Sequence, residues 1–382
     1  MTPHVSNRHP RVLVAPDKFR GTLSAIQAAV AISHGIAQVW PDAQIRTIPV
    51  ADGGEGTVAC FIAAGAQRRS NTVSGPLRGR VRANWAVRED TAIIEMAAAS
   101  GLALITPSVT SALAADSFGT GELIIKALGE DVSTIVVAVG GSATTDGGTG
   151  ALRALGARFL DSAGNELPPG GYFLQYLEGI DLERLDPRLS EARIHVYCDV
   201  ASPLIGGHGA ATVFGPQKGA DPAAAEALEA GMTQFAAVVA DLTGTDLRRV
   251  AGAGAAGGFA GGFHALLHAQ LMGGFSAIAH DLELATQVSW ADLVIVGEGS
   301  LDLQSLQGKA PVALAQLAAQ LNTPVAAIAG TVSLSEHQLN AAGLVAAGSA
   351  SESAGSSAAA LEHPAMFVTA AAADLARSLD RR

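Results

Sequence analysis

The sequence predicts an α/β fold, and three observations carry that reading. Short runs rich in Val, Ile and Ala alternate with longer stretches of helical periodicity, the order expected when strands of a largely parallel sheet are linked by helices. A strand–loop–helix unit can be read near each end of the chain. The length of 382 residues is enough for two or three domains and for a deep cleft.

Seven strands are expected: Val12 to Ala15, Ile45 to Val50, Ala92 to Glu95, Thr134 to Val139, Arg193 to Cys198, Leu293 to Val296 and Val325 to Ile328. After the first strand, Thr22 is a plausible N-cap for a helix with an apolar face of Leu23, Ile26, Val30, Ile36 and Trp40, stopped by Pro41. Pro311 suits the first turn of a helix running through Ala319. The turn-rich segments Gly75 to Arg82 and Gly164 to Gly171 are expected hinges or domain joins. The Ser-, Ala- and Gly-dominated stretch from Gly348 to Ala360 reads as a mobile loop or as helix. No internal repeat of fixed period is visible.

The 24 basic and 35 acidic residues give a net charge of −11, which argues against general binding of nucleic acid or anionic membrane. Any anion must therefore be met by a local site. Only four of the basic residues are Lys: Lys18, Lys126, Lys218 and Lys309. The two cysteines, Cys60 and Cys198, form no ligand pattern and fit a reducing compartment. No secretory signal is read at the N-terminus, and the uncharged stretch Val250 to His280 is too rich in Gly and His for a membrane span. A cytoplasmic protein is expected.

Chemistry points to the strand exits. Asp17, Asp52, Asp146, Asp199 and Asp302 each follow a predicted strand among small residues. Ligands of open α/β sheets bind at the carboxyl ends of strands, and carboxylates gathered there call for a cation such as Mg²⁺, held by one or two of them together with phosphate oxygens. The run APDKFRGTLSA sets Lys18 and Arg20 before a helix start, where they suit a carboxylate or phosphate. ADGGEGT places Asp52 and Glu55 around two glycines that let backbone approach a ligand. VGGSATTDGG, with Gly141, Ser142, Thr144 and Thr145, leads into a helix and could cradle a phosphate or substrate. The Gly-rich run from Cys198 to Asp221 carries Asp199, His208 and Lys218, with His208 the weakest of the three candidates. GEGSLDLQSLQGKAP combines Glu298, Asp302, Gln304, Ser305 and Lys309, with Lys309 directly before a helix. It is no P-loop, because Leu303 stands at the first glycine position and Ala310 at the Ser/Thr position.

Two further patterns carry less. Gly252, Gly254 and Gly257 match GxGxxG, but no clean strand precedes them. His264 and His268 have the spacing of a zinc helix but lack the Glu that follows the first His in such sites.

Taken together, APDKFRGTLSA, PVADGGEGT, AAASGLAL, SFGTGELI, GGSATTDGG, CDVASPLIG with VFGPQKGA, GAGAAGG and GEGSLDLQSLQGKAP closely resemble, in order from Ala15 to Pro311, the motifs of the bacterial glycerate kinases, the family that includes the glycerate 2-kinases. The segment after about Gly343 is richer in Ala and Ser than that family's pattern. The resemblance implies two α/β domains: a Rossmann-like one from residues 1–75 plus 275–382, and an inserted one from 76–274, with the active site in the cleft. It implies transfer of the ATP γ-phosphoryl group to a hydroxyl of D-glycerate, most often giving 2-phosphoglycerate, with Mg²⁺.

On that basis Lys18 and Arg20 are expected to hold the glycerate carboxylate, and Asp52 or Asp199 to act as base or Mg²⁺ ligand. Asp302 is expected to hold Mg²⁺ or substrate hydroxyls. Gly141, Ser142, Lys218 and Lys309 are expected around the ATP phosphates. A dehydrogenase of a small hydroxy acid, resting on GxGxxG, and a noncatalytic small-acid binding protein are the alternatives. A buried apolar face could equally be a core or a dimer face, so a homo-oligomer stays open.

Overall fold

The computed structural model describes residues 9–19, 21–198, 201–307 and 309–381. They form two compact units, one from Met1–Asp52 with Phe275–Arg382, the other from Gly53–Gly274.

The first unit is built on a five-stranded parallel sheet in the order Leu344–Ser349, Val325–Val332, Leu293–Leu301, Arg11–Pro16, Gln44–Thr47. Its central strands contain apolar, buried runs, Val12–Ala15, Leu293–Val296 and Val325–Ala329, because both faces are covered there. Register is fixed by pairs such as Val12 with Leu293 and Ala15 with Val296. The first helix, Ala25–Val39, starts at Ser24 rather than at the expected Thr22. Ser24 and Gln27 form a reciprocal capping box, whereas the Thr22 hydroxyl donates to Phe19 O at 2.9 Å and closes an earlier turn. Trp40 caps its end, before Pro41.

The buried stripe of that helix also differs from the expected one. Leu23, Ile36 and Trp40 are buried, but Ile26 and Val30 are 41% and 49% exposed. Small residues, Ala28, Ala29, Ala31 and Gly35, are buried instead. The reason is close packing on the helix Pro364–Asp380: a Cβ at Gly35 would meet Thr369 O at 2.2 Å. The stretch Gly348 to Ala360 is ordered rather than a loop, entering the helices Ala350–Ala354 and Ser357–Glu362 with a break at Gly355, where φ is +76°.

The second unit holds a six-stranded sheet in the order Gln270–Met272, Arg193–Tyr197, Thr134–Ala138, Thr91–Glu95, Arg80–Arg88, Gln67–Ser74. The first four strands are parallel and the last two antiparallel. Gly75 to Gly79 is the turn between the two antiparallel strands, with Gly75 N–H donating to Gly79 O, and is therefore no domain join. The chain passes between the units at Asp52/Gly53 instead of near Gly75, because Gln67–Ser74 is a strand of the second sheet. Gly164 to Gly171 lies inside the second unit. Among the described residues no helix is long and apolar enough to cross a membrane.

Candidate functional site

In the first unit, sequence order along the sheet reverses between Arg11–Pro16 and Leu293–Leu301: the chain moves from the former to one edge, then returns beside it and continues to the other edge. The carboxyl ends of strands at such a switch point are where open α/β sheets bind ligands. Asp17 stands there, its N–H donating to Gly297 O at 2.8 Å and its Oδ1 accepting from Lys18 N at 2.6 Å. Burial raises its pKa to about 6 against the opposing charge of Lys18, and the charges of Asp52 and Glu298 raise it further. Asp52 follows Val50, whose N–H donates to Pro16 O at 3.0 Å, which brings Asp52 to the same edge.

Glu298, next to Gly297 in the neighbouring strand, is 6% exposed, and its Oε1 has no hydrogen-bond partner. Burial pushes this carboxyl up, and Lys309 Nζ, 3.4 Å from Glu298 Oε2, works against that rise. Lys309 caps the eleven-residue helix Ala310–Gln320, with Pro311 in its first turn. Asp302 is partly exposed and its carboxylate is organised by its own turn: Oδ1 accepts from Gln304 N at 2.8 Å and Ser305 N at 3.2 Å, and Oδ2 from Ser300 Oγ at 3.2 Å. Burial tends to raise its pKa, but these N–H donors and Lys309 outweigh it and hold the group below the ordinary carboxylate range.

Of the predicted site residues, the first unit thus gathers Lys18, Asp52, Asp302 and Lys309 along one sheet edge. Asp17, one of the expected strand-exit carboxylates, and Glu298 stand at the same edge. Arg20 and Asp199 lie outside the described residues.

In the second unit, Gly141 and Ser142 follow the strand Thr134–Ala138. Gly141 has φ +75°, a conformation that favours glycine. Gly53 and Gly54 back this run: a Cβ at Gly140 would meet Gly54 Cα at 2.6 Å. Asp146 is wholly buried and accepts from Ser117 N, Ser117 Oγ, Gly148 N and Gly150 N at 2.8–3.1 Å, so it ties the run to its neighbours. Lys218 is 2% exposed and donates to Thr144 O at 2.6 Å and Ser142 Oγ at 3.4 Å. Burial lowers its pKa to about 8, and Asp146 acts against the fall.

The GxGxxG string belongs to this packing. A Cβ at Gly254 would meet Pro203 O at 2.1 Å, and one at Gly257 would meet Thr144 O at 2.0 Å. These glycines admit other backbone, which removes the dehydrogenase reading's only support. His264 Nδ1 pairs with Ala269 O at 3.0 Å, and His268 is the left-handed cap of the same helix. Among the described residues, no group of three or more His, Cys, Asp or Glu side chains could by itself hold a metal ion.

The sequence model described as the glycerate kinase family matches residues 12–380. The chain belongs to the glycerate kinase family. It is 44% identical over 326 residues to the glycerate 2-kinase of Escherichia coli K12, covering 84% of this chain and 85% of that one. It is 41% identical over 372 residues to the glycerate kinase of Bacillus subtilis 168, covering 97% of each. A crystal structure assigned to glycerate kinase 2 of Salmonella typhimurium LT2 superposes with a TM-score of 0.84 at 40% identity, over 98% of this chain and 99% of that one. The family match spans the Ala- and Ser-rich segment after Gly343, so that segment is part of the kinase fold despite its composition.

Proposed function

We propose that this kinase transfers the γ-phosphoryl group of ATP to the C2 hydroxyl of D-glycerate, giving 2-phosphoglycerate, with Mg²⁺. Family membership supports the acceptor. The observation that carries the chemistry is the joining of the half-buried Asp17 and the buried Glu298 with Lys18, Asp52, Asp302 and Lys309 at the switch point of the first sheet. Phosphoryl transfer asks chiefly for alignment and charge neutralisation, plus a group to accept the hydroxyl proton.

In this reading Lys18 and Arg20 hold the glycerate carboxylate, and Asp52 or Asp199 accepts the hydroxyl proton. Lys309 neutralises ATP phosphate charge, and Gly141 and Ser142 offer backbone and hydroxyl donors to the nucleotide. The hard-oxygen donors Asp52 and Asp302 suit Mg²⁺, and the orphaned Glu298 Oε1 marks a further acceptor oxygen at that edge. A cation held by one or two carboxylates and completed by phosphate oxygens is compatible with the lack of a three-ligand cage. When bound, Mg²⁺ supplies charge neutralisation on the phosphate oxygens. Cys60 and Cys198 form no ligand pattern in the sequence, which fits action in the reducing cytoplasm.

The test is an ADP-release assay with ATP and Mg²⁺ against D-glycerate, L-glycerate, lactate and glycerol. The reading predicts turnover that needs both the carboxylate and the D configuration. ADP release that is indifferent to the acceptor would overturn it.

A further inference from the structure

We infer that Lys218 is a positioning residue: it fixes the Gly141–Thr145 run from beneath and does not itself contact the nucleotide. This deepens the proposed function, on which its catalytic consequence rests. Lys218 is only 2% exposed, and its ammonium contacts go to that run, Thr144 O at 2.6 Å and Ser142 Oγ at 3.4 Å. The lysine's own backbone is held equally firmly. It ends the single turn Pro216–Lys218, with Lys218 N–H donating to Gly215 O at 3.0 Å. The next residue, Gly219 at φ +100°, packs so closely that a Cβ there would meet Ser108 N at 2.2 Å.

Burying an ammonium is costly unless its hydrogen bonds and counter-charge recover the loss, and here the counter-charge is Asp146, itself tied into the same run. The run is tied further by Gly147 N–H donating to Gly257 O at 2.9 Å. Thr144 and Thr145 are thus held between a buried cation and a glycine-lined backbone, with both their hydroxyls buried and unpartnered. The Lys218 donor at Thr144 O is therefore one of the contacts that fix the shape of the segment. A run held this way presents Gly141 and Ser142 in one geometry, which matters for alignment more than for affinity.

The experiment compares wild type with Lys218→Met and with Lys218→Arg, which keeps a cationic donor. Amide hydrogen exchange of the nucleotide-free protein is read first. In Lys218→Met the amides of residues 141–149 should exchange at least roughly tenfold faster, while those of Arg11–Pro16 and Leu293–Leu301 stay unchanged. Lys218→Arg should show the same local change to a smaller degree, and it stands alone if the Met variant does not fold. Steady-state kinetics should show kcat lowered by about 100-fold in Lys218→Met with the ATP KM within about threefold of wild type, the split expected for lost alignment. Unchanged exchange at 141–149 in the folded variants would overturn the inference. So would an ATP KM raised tenfold or more at unchanged kcat, the mark of a direct phosphate ligand. If wild type fails to phosphorylate D-glycerate, the proposed function falls, but the exchange measurement still decides the role of Lys218.

Discussion

Asp17 and Glu298 come from opposite ends of the chain and stand on adjacent parallel strands, where Asp17 N–H donates to Gly297 O at 2.8 Å and the Glu298 charge raises the proton affinity of Asp17. Two partly desolvated carboxyl groups beside one another repel when both are ionised, and a cation or a cationic group between them relieves that cost.

That strain gives a pH-dependent prediction. The pKa of Asp17 is about 6 in the folded protein against an ordinary value of 3.8, so the folded state binds more protons than the unfolded state between those values. The stability this group contributes is complete below pH 3.8 and is lost as pH rises through about 6. Asp17→Asn should therefore raise the melting temperature at pH 7.5 by a few degrees and have little effect near pH 3.5, while lowering kcat. Scanning calorimetry at the two pH values checks it. A variant no more stable than wild type at pH 7.5 would contradict the assignment.

Lys309 sits at a helix start and 3.4 Å from Glu298. Losing a charge-assisted contact to phosphate costs about 1.5–3 kcal/mol, so Lys309→Ala should raise the ATP KM by roughly tenfold or more. The glycerate KM should stay near wild type. Initial-rate kinetics with each substrate varied in turn separate the two.

Asp52 is the described candidate for accepting the hydroxyl proton. General-base contributions run to about 10²–10⁴-fold, so Asp52→Asn should lower kcat by that order. Turnover near wild type in a single-turnover experiment would remove Asp52 from the role.

Gly257 has φ +67°, and a Cβ there would meet Thr144 O at 2.0 Å. Gly257→Ala combines left-handed backbone strain with a clash against backbone, so destabilisation by at least about 2 kcal/mol is expected. Urea unfolding measures it. Fluorescence titration of wild type should show no saturable NADH binding, because the glycines of that string are occupied by protein backbone.

The legible part of the fold was its buried interior. Strands such as Thr134–Ala138 and Leu293–Leu301 are covered on both faces and read as apolar runs. The pair Gln67–Ser74 and Arg80–Arg88 is hidden in the sequence because it is rich in Arg and buries only some of its residues. The helix Ala25–Val39 is legible in the sequence but its buried face is not, because close helix packing draws Ala and Gly inward where bulky residues are expected. At the site, the loops carrying Lys18, Asp52, Asp302 and Lys309 were legible from small residues after strands. The meeting of Asp17 with Glu298 was not, since it depends on strand register between distant segments. Burial of Lys218 was equally hidden, because a lysine in a Gly-rich loop looks the same in sequence whether it faces solvent or its own chain.

The most direct test of the account is ³¹P and ¹³C NMR of the product formed from ATP, Mg²⁺ and D-[¹³C]glycerate. The account predicts stoichiometric ADP and a single new phosphoester, with phosphorus coupled to C2. No phosphoester on glycerate, with ATP left intact, would contradict it.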